Sequence, residues 1–183
     1  MSKVDHTFAV LAFGKSPFLE DCIQSVMKQS VRGKIIICTS TPTLFIQNMS
    51  EKYAIELFIN QNSIGIFSDW NFALEKASTQ FVTLAHQDDL YHHYYLEKCA
   101  SYFEDEFGIL FPNYIDLEED GMSSILLQNR IKSILLWPYL FTRCVESPFL
   151  KSLMLRFGNP IGCPGVMYNL DILREFKFSS RFN

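Results

Sequence analysis

The chain has 183 residues, 48% of them apolar, with 16 basic against 20 acidic side chains and a formal net charge of -4. At roughly 150 residues per domain this length predicts a single domain, and about 70% of the unfolded surface of such a chain is buried on folding. An aromatic content of 15% excludes disorder, and the acidic balance excludes the basic face that nucleic acid requires, so no nucleic-acid partner is expected.

Strand and helix signals alternate through the first half. Thr7 to Phe13 (TFAVLAF) is a nearly continuous apolar run, the pattern of a strand buried on both faces of a parallel sheet. Gly14 ends it, and Ser16-Pro17 predicts a capped helix start with Glu20 and Asp21 in the first turn. Phe18, Leu19, Cys22, Ile23, Val26 and Met27 recur at helical spacing to about Gln29. Lys34 to Cys38 (KIIIC) predicts a second buried strand, and Thr41-Pro42 a second helix start running to about Lys52. Ile55 to Ile59 reads as a third strand, followed by a polar loop from Asn60 to Gly65 and a helix over Ser68 to Ala77. Phe81 to Ala85 (FVTLA) is a fourth strand ending at His86-Gln87-Asp88-Asp89, and an aromatic-rich helix is expected from His92 to Phe103. This alternation predicts right-handed crossovers and an open, mostly parallel sheet with helices on both faces.

The second half reads differently. Ile109 to Leu117 is expected as a strand that forms a hairpin with Ile125 to Leu127 across the Glu119-Asp120-Gly121 turn. Pro148 to Arg156 reads as a short helix. Ile161 to Tyr168 contains Gly162, Pro164 and Gly165, so a strand here is expected only at an edge or with a bulge. Asp171 to Phe176 predicts a last short helix. No repeat, low-complexity tract or linker marks a second domain.

Cys22, Cys38, Cys99, Cys144 and Cys163 are odd in number and form no CxxC pair, which suits a reducing cytosol and predicts a cytoplasmic location. The run Phe8 to Phe13 is too short for a signal peptide, and Ile134 to Phe141, broken by Pro138, is too short to span a bilayer. The expected state is a soluble chain, with peripheral docking on a membrane surface the only membrane association the pattern admits. Nothing in the sequence specifies an oligomeric state.

Ligands of open α/β sheets bind outside the carboxyl ends of the strands. Those ends carry Ala12-Phe13-Gly14, Thr39-Ser40, Asn60 to Gly65, and His86-Gln87-Asp88-Asp89. Two adjacent carboxylates and an imidazole leaving a buried strand suit a hard divalent cation, Mn or Mg, that completes its shell with substrate phosphates. A helix-capping role for Asp88 or Asp89 near Tyr91 is the competing reading. No GxGxxG follows the first strand and no GxxxxGK[ST] occurs, so dinucleotide and P-loop sites lack their phosphate cradle.

These segments resemble the nucleotide-sugar-dependent family 2 glycosyltransferases of the GT-A fold. Val10 to Ser30 (VLAFGKSPFLEDCIQSVMKQS) resembles the family's first strand and helix, and Phe81 to Leu90 (FVTLAHQDDL) its strand and DxD-type acidic motif. Asn62 to Ala77 (NSIGIFSDWNFALEKA) resembles its asparagine-and-glycine loop with the following helix. Ile161 to Lys177 (IGCPGVMYNLDILREFK) resembles the later strand and helix near the acceptor site. The likeness covers almost the whole chain. It implies a GT-A-like, Rossmann-like fold, with a nucleotide-sugar-binding half at 1–106 and a partial acceptor-binding half at 107–183.

The resemblance also implies roles. A nucleotide-sugar donor would meet Ala12, Phe13, Ser40, Asn62, Asp69, His86, Gln87 and Asp88, and a divalent metal would be held by Asp88, His86 and Asp89. The acceptor would be a glycan or lipid-linked glycan at the inner face of the membrane, in bacterial cell-surface polysaccharide synthesis. Transfer in this family inverts the anomeric centre, with a carboxylate as general base. That acid is expected beyond Asn183, which leaves the catalytic residue unassigned and makes a truncated or non-catalytic sugar-nucleotide-binding module the alternative. The pattern departs from the family in two places. His86 replaces the first acid of the DxD motif, and Thr39-Ser40 replace an acidic pair of which one commonly reads the base. Phe13 stands where a Tyr is frequent, available for base stacking or for the core. Asp116, Glu118, Glu119 and Asp120 read as a solvated turn, and His92, His93 and Cys99 lack zinc-ligand spacing.

Overall fold

The computed structural model describes residues 3–62, 65–115, 134, 136–137, 145–156, 159 and 161–179. The first of two compact units comprises 1–110 and 166–183, and the second 111–165. In the first unit β1 (Lys3–Leu11), β2 (Arg32–Thr39), β3 (Glu56–Ile59) and β4 (Phe81–His86) alternate with α1 (Leu19–Met27), α2 (Leu44–Tyr53) and α3 (Ile66–Lys76). After α4 (Tyr95–Ala100) come β5 (Ile109–Leu110) and β6 (Met167–Asn169), while α5 (Pro148–Arg156) belongs to the second unit.

The sheet order is β3-β2-β1-β4-β6-β5. Its first four strands are parallel, and β6 runs antiparallel to both β4 and β5. Phe8, Ala9 and Val10 are all fully buried. Successive strand side chains point to opposite faces, so both faces of the sheet are covered. This mostly parallel six-stranded sheet with helices is the expected fold class. Register places Leu11 beside both Cys38 and His86, so β1, β2 and β4 end level.

Several element boundaries differ from the sequence-based expectation. Ser16 Oγ accepts from the Phe18 N–H at 3.2 Å, and α1 begins at Leu19, burying Leu19, Cys22, Ile23 and Val26 along one stripe. Thr41 Oγ1 is taken by the Gly14 N–H at 3.0 Å, so Thr43 caps α2 instead, accepting from the Ile46 N–H at 3.2 Å. The helix expected over His92 to Phe103 is confined to α4. Its entry is set by the buried Gln29, whose amide accepts from the Leu96 N–H at 2.9 Å and donates to the His92 carbonyl at 2.9 Å.

The later elements differ more. The strand expected over Ile109 to Leu117 stops at Leu110, where Pro112 cannot supply a ladder donor. Its expected partner, Ile125 to Leu127, lies outside the described residues. Pro164 and Gly165 fall in a 3-10 turn (Cys163–Gly165), which leaves Met167 to Asn169 free to pair inside the sheet, where an edge or bulged strand was expected. Asp171 to Phe176 forms turns and no helix: Leu173 N–H donates to Asn169 O at 3.0 Å and Phe176 N–H to Leu173 O at 2.8 Å. The Asp171 N–H donates to Asn169 Oδ1 at 3.2 Å, a local side-chain bond that competes with a helix start.

Pairing of β1 with β2 shifts register between Lys3 and Thr7, and Gly33 lies under this irregularity. A Cβ at Gly33 would come within 2.8 Å of the His6 carbonyl oxygen and 2.9 Å of His6 Nδ1. Backbone cannot yield as a flexible side chain does. Gly33→Ala is expected to cost about 1–3 kcal/mol of stability, read from the urea midpoint; an unchanged midpoint would show that β1 shifts freely.

Candidate functional site

The level ends of β1, β2 and β4 form the floor of a cavity of about 280 Å³ lined by Leu11, Ala12, Phe13, Cys38, Gly65, Ile66, Asp69, Trp70, His86, Gln87 and Asp88. It lies where the strand order turns from β1 toward β2 on one side and β4 on the other, the switch point at which such sheets bind ligands. Ala12 is buried, whereas Phe13 is 59% exposed and belongs to the cavity rim, not the core. The Phe13 N–H donates to Gln87 Oε1 at 2.8 Å, tying the loop after β1 to the turn after β4.

Asp69, in the first turn of α3, projects into the cavity. Ser40 Oγ donates to its Oδ2 at 2.7 Å, and Asn60 Nδ2 to its Oδ1 at 3.0 Å. Ser40 therefore contributes by orienting Asp69 and does not line the cavity. Asn62 is exposed outside it, its N–H donating to Asn60 Oδ1 at 3.2 Å. Asn60 is 5% exposed and also bonded to Ser68 Oγ at 3.1 Å, a role that its place at the end of the third strand does not by itself specify. Trp70 is a cavity wall. Its indole lies 5.3 Å from the His86 ring at an interplanar angle of 50°.

The turn after β4 is pinned from below. The His86 carbonyl accepts from Cys22 Sγ at 3.1 Å and from the Asp89 N–H at 3.1 Å. Ligand atoms of His86, Asp88 and Asp89 lie within 4.8 Å of one another. Burial lowers the His86 pKa, so the imidazole is neutral near pH 7, and its buried Nε2 has no hydrogen-bond partner. Burial, and then the charge of Asp88, push the Asp89 carboxyl up to about 6. An orphaned imidazole nitrogen beside two mutually repelling carboxylates fits a divalent cation. Burial and nearby carboxylates push the Cys22 and Cys38 thiols up to about 12, so neither supplies a thiolate to a metal or a nucleophile to a substrate.

The remaining candidates fall elsewhere. His93 Nδ1 bonds the Lys28 carbonyl, His92 Nδ1 accepts from the Tyr94 N–H at 3.3 Å, and Cys99 is buried. These three hold loops and core together. Asp116, Glu118, Glu119 and Asp120 lie outside the described residues.

The sequence model of glycosyl transferase family 2 matches residues 7–159. The chain belongs to this family. No curated protein sequence matches it. Among solved structures, a mannosyltransferase from Pyrobaculum calidifontis, in complex with GDP-Man and Mn²⁺, is similar with a TM-score of 0.62 at 14% identity, over 97% of this chain and 48% of that one. S. aureus TarS (residues 1–349) gives a TM-score of 0.64 at 15% identity, over 96% of this chain and 50% of that one. Glucosyl-3-phosphoglycerate synthase from Mycobacterium tuberculosis, with Mn²⁺ and UDP-glucose, gives 0.61 at 12% identity, over 93% of this chain and 58% of that one. These likenesses show the GT-A glycosyltransferase fold. The family 2 chain described here spans about half the length of these neighbours. Among its described residues no helix is long and apolar enough to cross a membrane.

Proposed function

We propose that this family 2 domain binds a nucleotide-sugar and serves transfer of the sugar, with inversion, to a glycan or lipid-linked glycan hydroxyl in bacterial cell-surface polysaccharide synthesis. The observation that carries the donor-binding reading is the His86, Asp88 and Asp89 cluster at the cavity mouth, with the buried His86 Nε2 unpartnered. Two of the structural neighbours were solved with Mn²⁺ and a nucleotide-sugar, which supports the same assignment here. A cation bound at this cluster would supply neutralisation of the charge that gathers on a departing nucleoside diphosphate.

The chain's own groups account for donor recognition. Phe13, exposed at the rim, offers a face for stacking a nucleobase. Asp69, oriented by Ser40 and Asn60, offers carboxylate oxygens to N–H or O–H donors of the base or ribose, in place of the acids missing after β2. Trp70 and Ile66 complete the apolar part of the lining.

A thermal-shift titration with UDP and GDP, each with and without Mn²⁺, tests the reading. Stabilisation that requires Mn²⁺ is expected, reaching about 2.7 kcal/mol at a hundredfold excess over Kd. Equal stabilisation with and without the metal would remove the cation-bridged donor site. One observation favours a second reading, a donor-binding module that does not itself transfer. Among the described cavity residues, the carboxylates are Asp69, held by two donors, and Asp88 of the cation cluster. Sugar transfer to an acceptor by the isolated chain would eliminate that reading.

A further inference from the structure

Beside the cavity, one polar contact joins parts of the chain 107 residues apart. Asn71 Nδ2 on α3 donates to the Phe178 carbonyl at 3.0 Å, and Asn71 Oδ1 accepts from the Phe178 N–H at 2.8 Å. A single carboxamide thus satisfies both backbone groups of one residue, as the peptide of a neighbouring strand would. Residues 176–179 lie in no helix or strand, so this pair stands in for regular pairing. It seats the Phe178 ring edge-on against Trp70, with centroids 4.8 Å apart at 76°. The same indole lines the cavity and lies against His86.

We propose that Asn71 is a positioning residue of the donor site: by clamping Phe178 it holds Trp70, and through Trp70 the cavity wall that carries His86. The inference rests on the donor-site reading above. Its chemistry is particular to asparagine. A carboxylate at this position would still accept from the Phe178 N–H but would set an oxygen against the Phe178 carbonyl, and an alkyl side chain would satisfy neither group. Without the clamp the indole keeps its contacts with Phe67 and His86 but loses the one with Phe178, and its rotamers widen.

Trp70 and Trp137 are the two tryptophans of the sequence, so a Trp137→Phe background isolates the Trp70 signal. Asn71→Asp and Phe178→Ala are made in that background, with Phe178→Tyr as the conservative variant and far-UV circular dichroism to show that each is folded. Near-UV circular dichroism and fluorescence anisotropy of the ligand-free proteins report the indole, and calorimetry with UDP and GDP in Mn²⁺ reports the site. Asn71→Asp and Phe178→Ala are expected to lose indole ellipticity and to bind nucleotide about tenfold more weakly, while Phe178→Tyr retains both properties. An indole signal unmoved by Asn71→Asp and Phe178→Ala would overturn the clamp, and a loosened indole with undiminished affinity would overturn its positioning role. Failure of the background protein to bind either nucleotide would instead overturn the donor-site reading, with the clamp judged by the indole signal alone.

Discussion

Asp88→Asn is expected to weaken Mn²⁺ binding by at least about a hundredfold and to abolish the metal-dependent part of nucleotide binding. Asparagine keeps the shape of the side chain but removes the charge that a hard cation needs. The effect on the fold points the other way. Asp88 raises the Asp89 carboxyl by repulsion, second to burial, so removing the charge relieves an unfavourable contact in the metal-free protein. The variant should therefore melt no lower than wild type without metal and fail to respond when Mn²⁺ is added. Isothermal titration with Mn²⁺ alone checks the first half and a melting curve the second. Undiminished Mn²⁺ affinity in Asp88→Asn would show that the cation binds elsewhere or not at all.

Acid is expected to destabilise the protein through His6. This side chain is fully buried in β1, shares a 2.9 Å hydrogen bond between its Nε2 and Thr83 Oγ1, and leaves Nδ1 without a partner. Burial holds its pKa down at about 3, against 6.5 for an ordinary histidine. Between those values the unfolded chain takes up a proton that the native state refuses. The stabilising contribution is thus complete above about pH 6.5 and falls by about 1.4 kcal/mol per pH unit as the pH drops toward 3. Asp89, raised to about 6, acts oppositely over part of this range, so wild type must be compared with a single variant. His6→Gln retains a neutral polar group near Thr83 and removes the titration. Its unfolding free energy should lose the acid slope that wild type shows between pH 6 and 4. Parallel curves for the two proteins would exclude His6 as the source.

Much of this was legible in the residue pattern. TFAVLAF and FVTLA are mostly apolar because β1 and β4 are buried on both faces, and α1 repeats at helical spacing because one stripe faces the core. The sheet end bearing His86-Gln87-Asp88 followed from strand direction, which chain order alone dictates in parallel crossovers. Other features left no local trace. Gln29, just past α1, caps α4, and Asn60 stands at a strand end with no role visible until its amide is seen on Asp69. An indole in the first half of a helix carries the same pattern in a cavity wall as in a core, so the place of Trp70 has no local signal.

The cavity lies wholly in the first of the two compact units. Sequence by itself determined the succession of strands and helices, the mostly parallel sheet, the family resemblance and the acidic turn after β4. These depend on hydrophobic period and short motifs, which are local properties of the chain. Tertiary structure alone decided that β6 enters the sheet beside β4, that Ser40 and Asn60 serve Asp69, and that Asn71 grips Phe178. Each of these is a hydrogen bond between residues whose identities are unremarkable singly and whose meeting depends on how the whole sheet is assembled.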